Sequence, residues 1–250
     1  MDLQLTDKIA LVTGGGSGVG REITRVLCSE GATVSVADID LEKAIQTVEL
    51  CKTLPGKASA YKMDVINGGS VQDTVASIIK DKEHIDILIN NAGYGVYKNF
   101  DAATHDDWMT DINVNLIGSL NCARAVVTGM MEKKYGKIVN IVSDAGRTGE
   151  PLLATYSAAK AAVIGFSKSL AKEMGRNGIN VNCVALGTTK TPLMEHMLTP
   201  EIEKKMIRMY PLGRLGLPED HAYLVAFLAS DRASWITGQV FSVNGGYSMI

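Results

Sequence analysis

Short runs of β-branched and other apolar residues recur along the chain, and amphipathic stretches separate them. Such runs are typical of strands that are buried on both faces of a sheet. The apolar runs lie at 9–13, 33–37, 58–63, 85–89, 137–142, 179–184 and 239–243. The amphipathic stretches lie near 18–30, 40–52, 68–82, 106–134, 155–176 and 218–230. This alternation predicts an α/β fold in which helices cover a parallel sheet of about seven strands.

The stretch from 187 to 214 is the least regular part of the chain and is rich in threonine, proline and methionine. It reads as a loop with a short helix near 201–209. A loop of this length in a compact domain often works as a lid or a binding segment. A surface excursion with a buried methionine face is the alternative. We expect one domain, residues 1–250, in which residues 186–214 form a substrate lid.

Composition narrows the function classes. The 250 residues are 46% hydrophobic, enough to bury one large core. The net charge is −2, and the sequence contains no long run of lysine or arginine. Nucleic-acid binding is therefore disfavoured. Neither a signal peptide nor an apolar span of about 20 residues is evident, which predicts a cytosolic protein that does not bind membranes. The scattered cysteines disfavour a metal or redox site; they are Cys28, Cys51, Cys122 and Cys183.

A glycine-rich turn, TGGGSGVG at 13–20, directly follows the first predicted strand. Its spacing is G-x-x-x-G-x-G, with Gly14, Gly18 and Gly20, and differs from the usual G-x-G-x-x-G. Glycines allow backbone N–H groups and a helix N-terminus to approach a pyrophosphate. The turn therefore indicates a dinucleotide site, although close packing of a helix on a strand could also account for it.

The second predicted strand ends in Asp38, eighteen residues after Gly20. A carboxylate there can accept hydrogen bonds from the adenosine ribose and would repel a 2′-phosphate. Neither Ser17 nor Ile39 offers a cation that could neutralise such a phosphate. We therefore predict NAD rather than NADP. The alternative role for Asp38 is to cap the following helix, which Asp40 could do equally well.

Tyr156 and Lys160 are four residues apart in an alanine-rich segment, so both should share one helix face. A lysine cation about 5 Å from a phenol, at an effective dielectric constant of about 20, favours the phenolate by about two pKa units. The pair could therefore act as a general base. Tyr94 and Lys98 repeat the spacing, but glycines flank Tyr94 and predict a loop.

Several motifs together resemble the short-chain dehydrogenase/reductase family over nearly the whole chain. They are the turn at 13–20, Asp64-Val65, Asn90-Asn91-Ala92-Gly93, Val114-Asn115-Leu116-Ile117-Gly118, Ser143 thirteen residues before Tyr156, and Ile236-Thr237-Gly238-Gln239. The resemblance implies a doubly wound Rossmann-type domain with strand order 3-2-1-4-5-6-7. It also implies a homotetramer, or a hetero-oligomer with a related subunit.

The resemblance further implies a catalytic tetrad of Asn115, Ser143, Tyr156 and Lys160. Ser143 would bind the substrate oxygen, Tyr156 would remove its proton, and Lys160 would hold the nicotinamide ribose. Asn115 would bind a water that links Lys160 to solvent. The residues expected to contact the coenzyme are Gly14, Ser17, Gly18, Val19, Asp38, Ile39, Asp64, Val65, Asn91, Ala92, Gly93, Tyr156, Lys160, Thr189 and Thr191. Leu186 stands where the family usually has proline, so the loop that carries these threonines could be placed differently.

The substrate is less defined by the sequence. An apolar pocket wall that includes Met194 suits a secondary alcohol or ketone. The sequence SDAGR at 143–147 is similar to family members that oxidise hydroxyacyl-CoA thioesters in degradative pathways, and Arg147 could bind an anionic part of such a substrate. Alternatives are a simple cyclic or aliphatic alcohol, a solvated role for Arg147, and a non-catalytic NAD-binding partner subunit. A Rossmann-like methyltransferase would need neither Ser143 nor the Tyr156 and Lys160 pair.

Overall fold

A single seven-stranded parallel sheet forms the centre of the computed structural model, which describes residues 2–195 and 197–250. The strands are β1 (Ile9–Thr13), β2 (Thr33–Asp38), β3 (Lys57–Lys62), β4 (Ile87–Asn90), β5 (Gly136–Ser143), β6 (Ile179–Leu186) and β7 (Val240–Val243). Their order is β3-β2-β1-β4-β5-β6-β7, which confirms the predicted fold class and strand order.

Helices cover both faces of the sheet. They are α1 (Gly18–Ser29), α2 (Leu41–Cys51), α3 (Gly68–Lys82), α4 (His105–Ile112), α5 (Gly118–Lys133), α6 (Ala145–Thr148), α7 (Ala154–Met174), α8 (Pro200–Ile207) and α9 (Pro218–Leu228). The long amphipathic stretches are confirmed as helices. No described helix is both long and apolar enough to cross a membrane. All four cysteines are buried free thiols, as expected.

The central strands are apolar throughout because each face packs against a different helix layer. In β1, Ala10 and Val12 belong to the core under α1, α2 and α9, whereas Leu11 belongs to the core under α3 and α5. The same alternation holds in β4, where Ile87 and Ile89 face one layer and Leu88 faces the other. Successive side chains point to opposite faces of a strand, so a doubly covered strand needs apolar residues at every position.

The predicted helix at 106–134 contains an interruption. It is continuous in the structure, but a π-helical turn at Asn113–Ile117 joins α4 to α5. Turns of this kind occur frequently at functional sites. This one rotates Asn115 into a fully buried position.

The sheet reverses its winding direction at β1, which pairs with β2 on one side and β4 on the other. Connections leave these two strands toward opposite sides, so a crevice opens beyond their carboxyl ends. Because all seven strands are parallel, every strand's carboxyl end lies at the same edge. The turn after β1, Asp38 at the end of β2 and Ser143 at the end of β5 therefore share one edge.

Residues 187–217 form the irregular stretch that follows β6, and α8 is its main regular element. The helix predicted at 201–209 is thus confirmed, with its bounds shifted toward the amino end. Among the residues that the structure describes, none in α8 is buried, and Ile202 is 43% exposed. A helix that buries so little has the packing expected of a lid rather than of a core element.

Candidate active site

The turn after β1 forms a cradle of backbone. Gly14 and Gly18 adopt φ angles of +59° and +52°, in the left-handed region that favours glycine. A Cβ at Gly20 would lie 2.2 Å from the carbonyl oxygen of Gly14, so this position also requires glycine. Ser17 is the N-cap of α1, but within the described part of the chain its hydroxyl makes no capping hydrogen bond. The turn therefore presents N–H groups and a hydroxyl where a pyrophosphate would fit.

Asn91 holds this turn in place through its side chain. Its Nδ2 donates to the carbonyl oxygens of Thr13 and Gly14, each at 3.0 Å. Its backbone N–H and that of Ala92 both donate to Thr13 Oγ1 at 3.0 Å. The sequence interpretation gave Asn91 only a contact with the coenzyme. The side-chain role was missed because it joins residues 77 and 78 positions apart, which motif spacing does not reveal.

Asp38 lies where its carboxylate can meet a ribose. It is 9% exposed, and its Oδ2 accepts the N–H of Gly16 at 2.9 Å while its Oδ1 accepts the N–H of Asp40 at 3.0 Å. Asp40, not Asp38, caps α2, since its Oδ1 accepts the N–H of Lys43. A carboxylate can accept about four hydrogen bonds, so Asp38 retains capacity for ribose hydroxyls. Ile39 beside it is 65% exposed, which leaves an apolar surface free to face an adenine ring.

Two cations that sequence reasoning did not consider lie near this turn. Arg21 Nη2 donates to the carbonyl oxygen of Gly16 at 2.6 Å, and Arg21 Nε contacts Thr47 Oγ1 at 3.2 Å. A Cβ at Gly16 would lie 2.7 Å from the Cβ of Lys43. Lys43 Nζ is 3.5 Å from Asp40 Oδ2. Both cations thus have partners within the protein, and Asp38 lies beside them.

Tyr156 and Lys160 lie one turn apart on α7, as predicted. Lys160 Nζ is 5.6 Å from the centre of the Tyr156 ring and donates to the carbonyl oxygen of Ile141 at 2.9 Å. Ser143, at the end of β5, lies beside the Tyr156 phenol and acts to lower its pKa. The adjacent strand end and helix therefore bring the predicted substrate-binding hydroxyl to the predicted acid/base.

Asn115 joins the same cluster from the π-helical turn. Its Nδ2 donates to the carbonyl oxygens of Tyr94 and Asp111 at 2.6 and 2.8 Å, and its Oδ1 accepts the N–H of Tyr94 at 3.3 Å. Asn115 Oδ1 and Lys160 Nζ both lie within 3.2 Å of the point that a Cβ of Gly93 would occupy. Asn115 and Lys160 thus meet at Gly93, and Lys160 and Ser143 both lie beside Tyr156, so the four predicted tetrad residues lie in one part of the site.

Burial dominates the electrostatics of this cluster. It raises the pKa of the Tyr156 phenol, and Ser143 offsets only part of that rise. It also lowers the pKa of Lys160 to about 8. The pKa of Tyr156 in the coenzyme-free chain is therefore raised, and the sequence interpretation did not anticipate this because the sequence does not reveal how completely both groups are desolvated.

Asp111, on α4, is a buried carboxylate that the sequence interpretation missed. It is 3% exposed, and burial raises its pKa. Its carboxylate accepts the backbone N–H of Val96 at 3.0 Å. The backbone N–H of Tyr156 offsets part of the rise in the pKa of Asp111, so this carboxylate lies beside the first turn of α7. A single acid inside an amphipathic helix gives no sequence signal for this position.

Comparisons with known proteins agree with this geometry. A protein-family model described as Enoyl-(Acyl carrier protein) reductase matches residues 14–248. The chain is 38% identical to a 3-oxoacyl-[acyl-carrier-protein] reductase of Thermotoga maritima, over 98% of this chain and 99% of the relative. It is 39% identical to a subunit of the (2S)-[(R)-hydroxy(phenyl)methyl]succinyl-CoA dehydrogenase of Thauera aromatica, over 98% of each. It is also 38% identical to an acetoacetyl-CoA reductase of Shinella zoogloeoides, over 96% of this chain and 98% of the relative.

The chain belongs to the short-chain dehydrogenase/reductase family. The matches run through the glycine turn, Asp38, the four clustered residues and the lid. The family and its relation to hydroxyacyl thioester enzymes, both predicted from the motifs, are confirmed.

Four other residues of this short-chain dehydrogenase/reductase that are predicted to contact the coenzyme can be located in the structure. Val65 is buried beneath Gly118, and Asp64 Oδ1 accepts the N–H of Ile66 at 3.1 Å. Thr191 packs against Gly18, beside the glycine turn. Thr189 is 7% exposed, and its hydroxyl contacts His221 Nε2 at 2.7 Å. The Thr189 hydroxyl therefore has a partner within the protein, whereas Thr191 lies where a phosphate contact is expected. These coenzyme contacts stay predictions.

Leu186 lengthens β6 instead of disturbing the loop that follows it. It is the last residue of that strand and pairs with both Ser143 and Val243. Gly187 then donates its N–H to the carbonyl oxygen of Val243 at 3.2 Å. The family proline is thus replaced here by a residue that fits the sheet ladder.

Two predicted substrate residues and the second Tyr/Lys pair can also be located. Met194 Sδ is 3.8 Å from Tyr97 Oη, so the irregular stretch after β6 contacts the loop after β4. Arg147 donates to Ser242 Oγ at 2.6 Å and to the carbonyl oxygen of Ile250 at 2.7 Å. Its contact with substrate stays a prediction. Tyr94 and Lys98 lie in a loop, as predicted, and Lys98 Nζ binds Asp107 Oδ2 at 2.7 Å.

Lys160 should impose a characteristic pH dependence on stability. Its pKa is about 8 when folded against 10.5 ordinarily, so the unfolded chain binds more protons between these values. The free energy of unfolding should therefore rise with pH across this window, and Lys160 should contribute no pH dependence below it. By urea denaturation without coenzyme, we expect the parent to gain about 2 kcal/mol over Lys160→Met between pH 8 and pH 10.

The exposed Lys172 on the same helix provides the matched control, because Lys172→Met should show no such pH-dependent gap. A gap between the parent and Lys160→Met that is constant from pH 7 to pH 10 would contradict the shifted pKa of Lys160.

Proposed function

We propose that this short-chain dehydrogenase/reductase is an NAD-dependent enzyme that interconverts a secondary alcohol and a ketone by hydride transfer. The observation that carries the proposal is that Ser143, Tyr156 and Lys160 are neighbours and that Asn115 meets Lys160 at Gly93, at the same sheet edge as the glycine turn. A partner subunit without catalysis would not need these four residues in one site. Their arrangement favours an enzyme.

Each clustered side chain has a chemical task. A bound nicotinamide supplies the hydride acceptor. Ser143 Oγ donates a hydrogen bond to the substrate oxygen, and Tyr156 Oη takes the hydroxyl proton as hydride leaves the carbinol carbon. Lys160 holds the nicotinamide ribose, and its ammonium favours the phenolate form of Tyr156. Asn115 supports a water through which the proton continues toward solvent.

The preference for NAD rests on Asp38. A nearly buried carboxylate with free acceptor capacity suits the two hydroxyls of an adenosine ribose, and a 2′-phosphate would bring two negative charges against it. Arg21 and Lys43 lie close enough to soften this repulsion, but both already have partners. Asp38 therefore determines the preference for NAD over NADP. Oxidation of the alcohol is the direction that NAD favours.

The substrate we propose is a hydroxyacyl-CoA thioester of a degradative pathway. The names of the three relatives all specify an acyl thioester with an oxo or hydroxy group. In this chain, exposed apolar side chains of the lid and of the loop after β5 suit a bulky acyl group; they include Leu152, Leu193 and Met209. A simple cyclic or aliphatic secondary alcohol is the alternative.

We also propose assembly into a homotetramer, or a hetero-oligomer with a related subunit. The strand β7 is an edge of the sheet, and Trp235 shortly before it is 99% exposed. An exposed edge strand next to a large apolar side chain is a surface that proteins usually cover. One relative is itself named as a subunit. The cytosolic location stays a prediction.

A substrate screen tests this proposal. Hydroxyacyl-CoA thioesters and simple alcohols are each incubated with NAD or NADP, and formation of the reduced coenzyme is followed by absorbance. We expect the highest kcat/KM for a thioester with NAD. If uncharged alcohols exceed every thioester, the thioester assignment fails. If nothing is oxidised and no oxo compound is reduced, the enzymatic assignment fails.

Tyr156→Phe should fold and bind NAD but lose at least about a hundredfold in turnover, because a positioned acid/base contributes at least that much. Turnover is measured with the best substrate of the screen, and NADH binding by fluorescence. Tyr94→Phe is the matched control and should retain turnover, since Tyr94 meets Asn115 only through its backbone. Near-normal turnover of Tyr156→Phe would contradict the assigned mechanism.

Asp38→Ala should narrow the preference for NAD over NADP, both by weakening NAD and by removing repulsion of the 2′-phosphate. The measurement is kcat/KM with each coenzyme. Asp38→Asn retains an acceptor without the charge, and Asp40→Asn changes the neighbouring acid while keeping a cap for α2. Asp40→Asn should leave the ratio unchanged. A parent enzyme that favours NADP would overturn the assignment.

A further inference from the structure

Three charged residues follow Ser143 at intervals of three, and each contacts the end of the chain. They are Asp144, Arg147 and Glu150, and their partners lie between Ser242 and Ile250. Asp144 directly precedes α6, Arg147 lies within it and Glu150 follows it. Because all three contact the same segment, they form one surface directly beside the predicted substrate-binding serine. We call it the clamp.

The buried end of the clamp is Asp144. It is 2% exposed, and its Oδ1 accepts the hydroxyl of Ser242 at 2.8 Å while its Oδ2 accepts from Asn244 Nδ2. The same Nδ2 also donates to the carbonyl oxygen of Ser248 at 2.8 Å. A buried carboxylate needs such donors, because an unpaired one would be costly. Asp144, which directly follows Ser143, is thus hydrogen-bonded to β7 and to the segment that follows β7.

The second contact is Arg147, which donates to Ser242 Oγ at 2.6 Å and to the carbonyl oxygen of Ile250 at 2.7 Å. Hydrogen bonds from a charged donor are stronger than neutral ones. Arg147 therefore fixes both ends of the segment 242–250 to α6.

The third contact connects Glu150, through Tyr247 and Tyr210, to the loop that follows β6. Tyr247 Oη donates to Glu150 Oε2 at 2.8 Å, and the Tyr247 ring stacks on Tyr210 with centroids 5.1 Å apart. Tyr210 is 4% exposed, and its Oη accepts the backbone N–H of Thr188 at 2.8 Å. Burial and the neighbouring Glu150 raise the pKa of Tyr247 to about 12, so its hydroxyl keeps the proton that it donates. Thr188 lies in the loop 187–191, which also carries Thr189 and Thr191.

We propose that the segment 244–250 is a positioning element of the active site. The clamp holds it beside Ser143, and through Tyr247 and Tyr210 it fixes the loop 187–191 after β6. Arg147 and Tyr210 are then positioning residues that set the distance between the substrate oxygen and the nicotinamide, although neither touches the reacting atoms. The expected change in kcat rests on the proposed function. The expected change in hydrogen exchange of the loop 187–191 does not depend on that function.

The geometry on the other side of the loop supports this role. A Cβ at Gly187 would lie 3.0 Å from the Cα of Asn244 and 3.3 Å from Tyr210 Cε1. The backbone of the loop therefore packs directly on the segment. Because hydride transfer depends on sub-ångström alignment, a small displacement of this loop should lower turnover more than binding.

The experiment measures amide hydrogen exchange by mass spectrometry and steady-state kinetics on the same variants. In Arg147→Ala, we expect exchange to accelerate about tenfold or more in peptides that cover 187–191 and 244–250, the effect of losing a charge-assisted hydrogen bond. Tyr210→Phe should accelerate only the 187–191 peptide. We expect Arg147→Ala to lower kcat about tenfold with thioesters and simple alcohols alike, with NADH affinity within about twofold of the parent.

Arg147→Lys should recover part of the loss, because it keeps a charged donor. Arg176→Ala, an exposed arginine before the amino end of β6, is the matched control and should change neither measurement. Unchanged exchange at 187–191 in Arg147→Ala would overturn the proposal, even in a protein that shows no activity. An Arg147→Ala variant that raises only the KM for thioesters, with kcat intact, would instead assign Arg147 to the substrate.

Discussion

The pairing of β1 with β4 is the interaction on which the rest of the site depends. It reverses the winding of the sheet and opens the crevice beyond the strand ends. It also brings Asn91, just after β4, within hydrogen-bonding distance of the turn after β1. Since all strands are parallel, the same edge receives Asp38, Ser143 and the loop after β6. One constraint thus assembles the coenzyme cradle and the catalytic cluster together.

Burial then gives the catalytic cluster its chemical character. Lys160 and Asp111 are 4% and 3% exposed, and neither forms an ion pair with an opposite charge among the described residues. Backbone groups contact them instead, the carbonyl oxygen of Ile141 for Lys160 and the N–H of Val96 for Asp111. Burial therefore makes the charged forms of both groups less favourable than they are in water. In this state a positively charged nicotinamide has a larger effect on Tyr156 than it would in water.

The features predicted from sequence are those encoded in short segments. Strand positions follow from apolar runs, and the glycine turn follows from its spacing. The missed features depend on residues far apart in the chain. The side chain of Asn91 acts on a turn 77 residues earlier, and Asp144 meets Asn244 at a separation of 100. The π-helical turn and the direction of the Tyr156 pKa shift required knowledge of packing. Neither periodicity nor residue spacing carries that information.

Isotope transfer can test whether this site moves a hydride from a carbinol carbon to the coenzyme. A hydroxyacyl-CoA that carries deuterium at the carbinol carbon is incubated with the protein and NAD, and the coenzyme is analysed by mass spectrometry. We expect that the reduced coenzyme contains the deuterium and that the thioester becomes the oxo compound. Reduced coenzyme without deuterium, or deuterium released to water instead, would contradict this expectation.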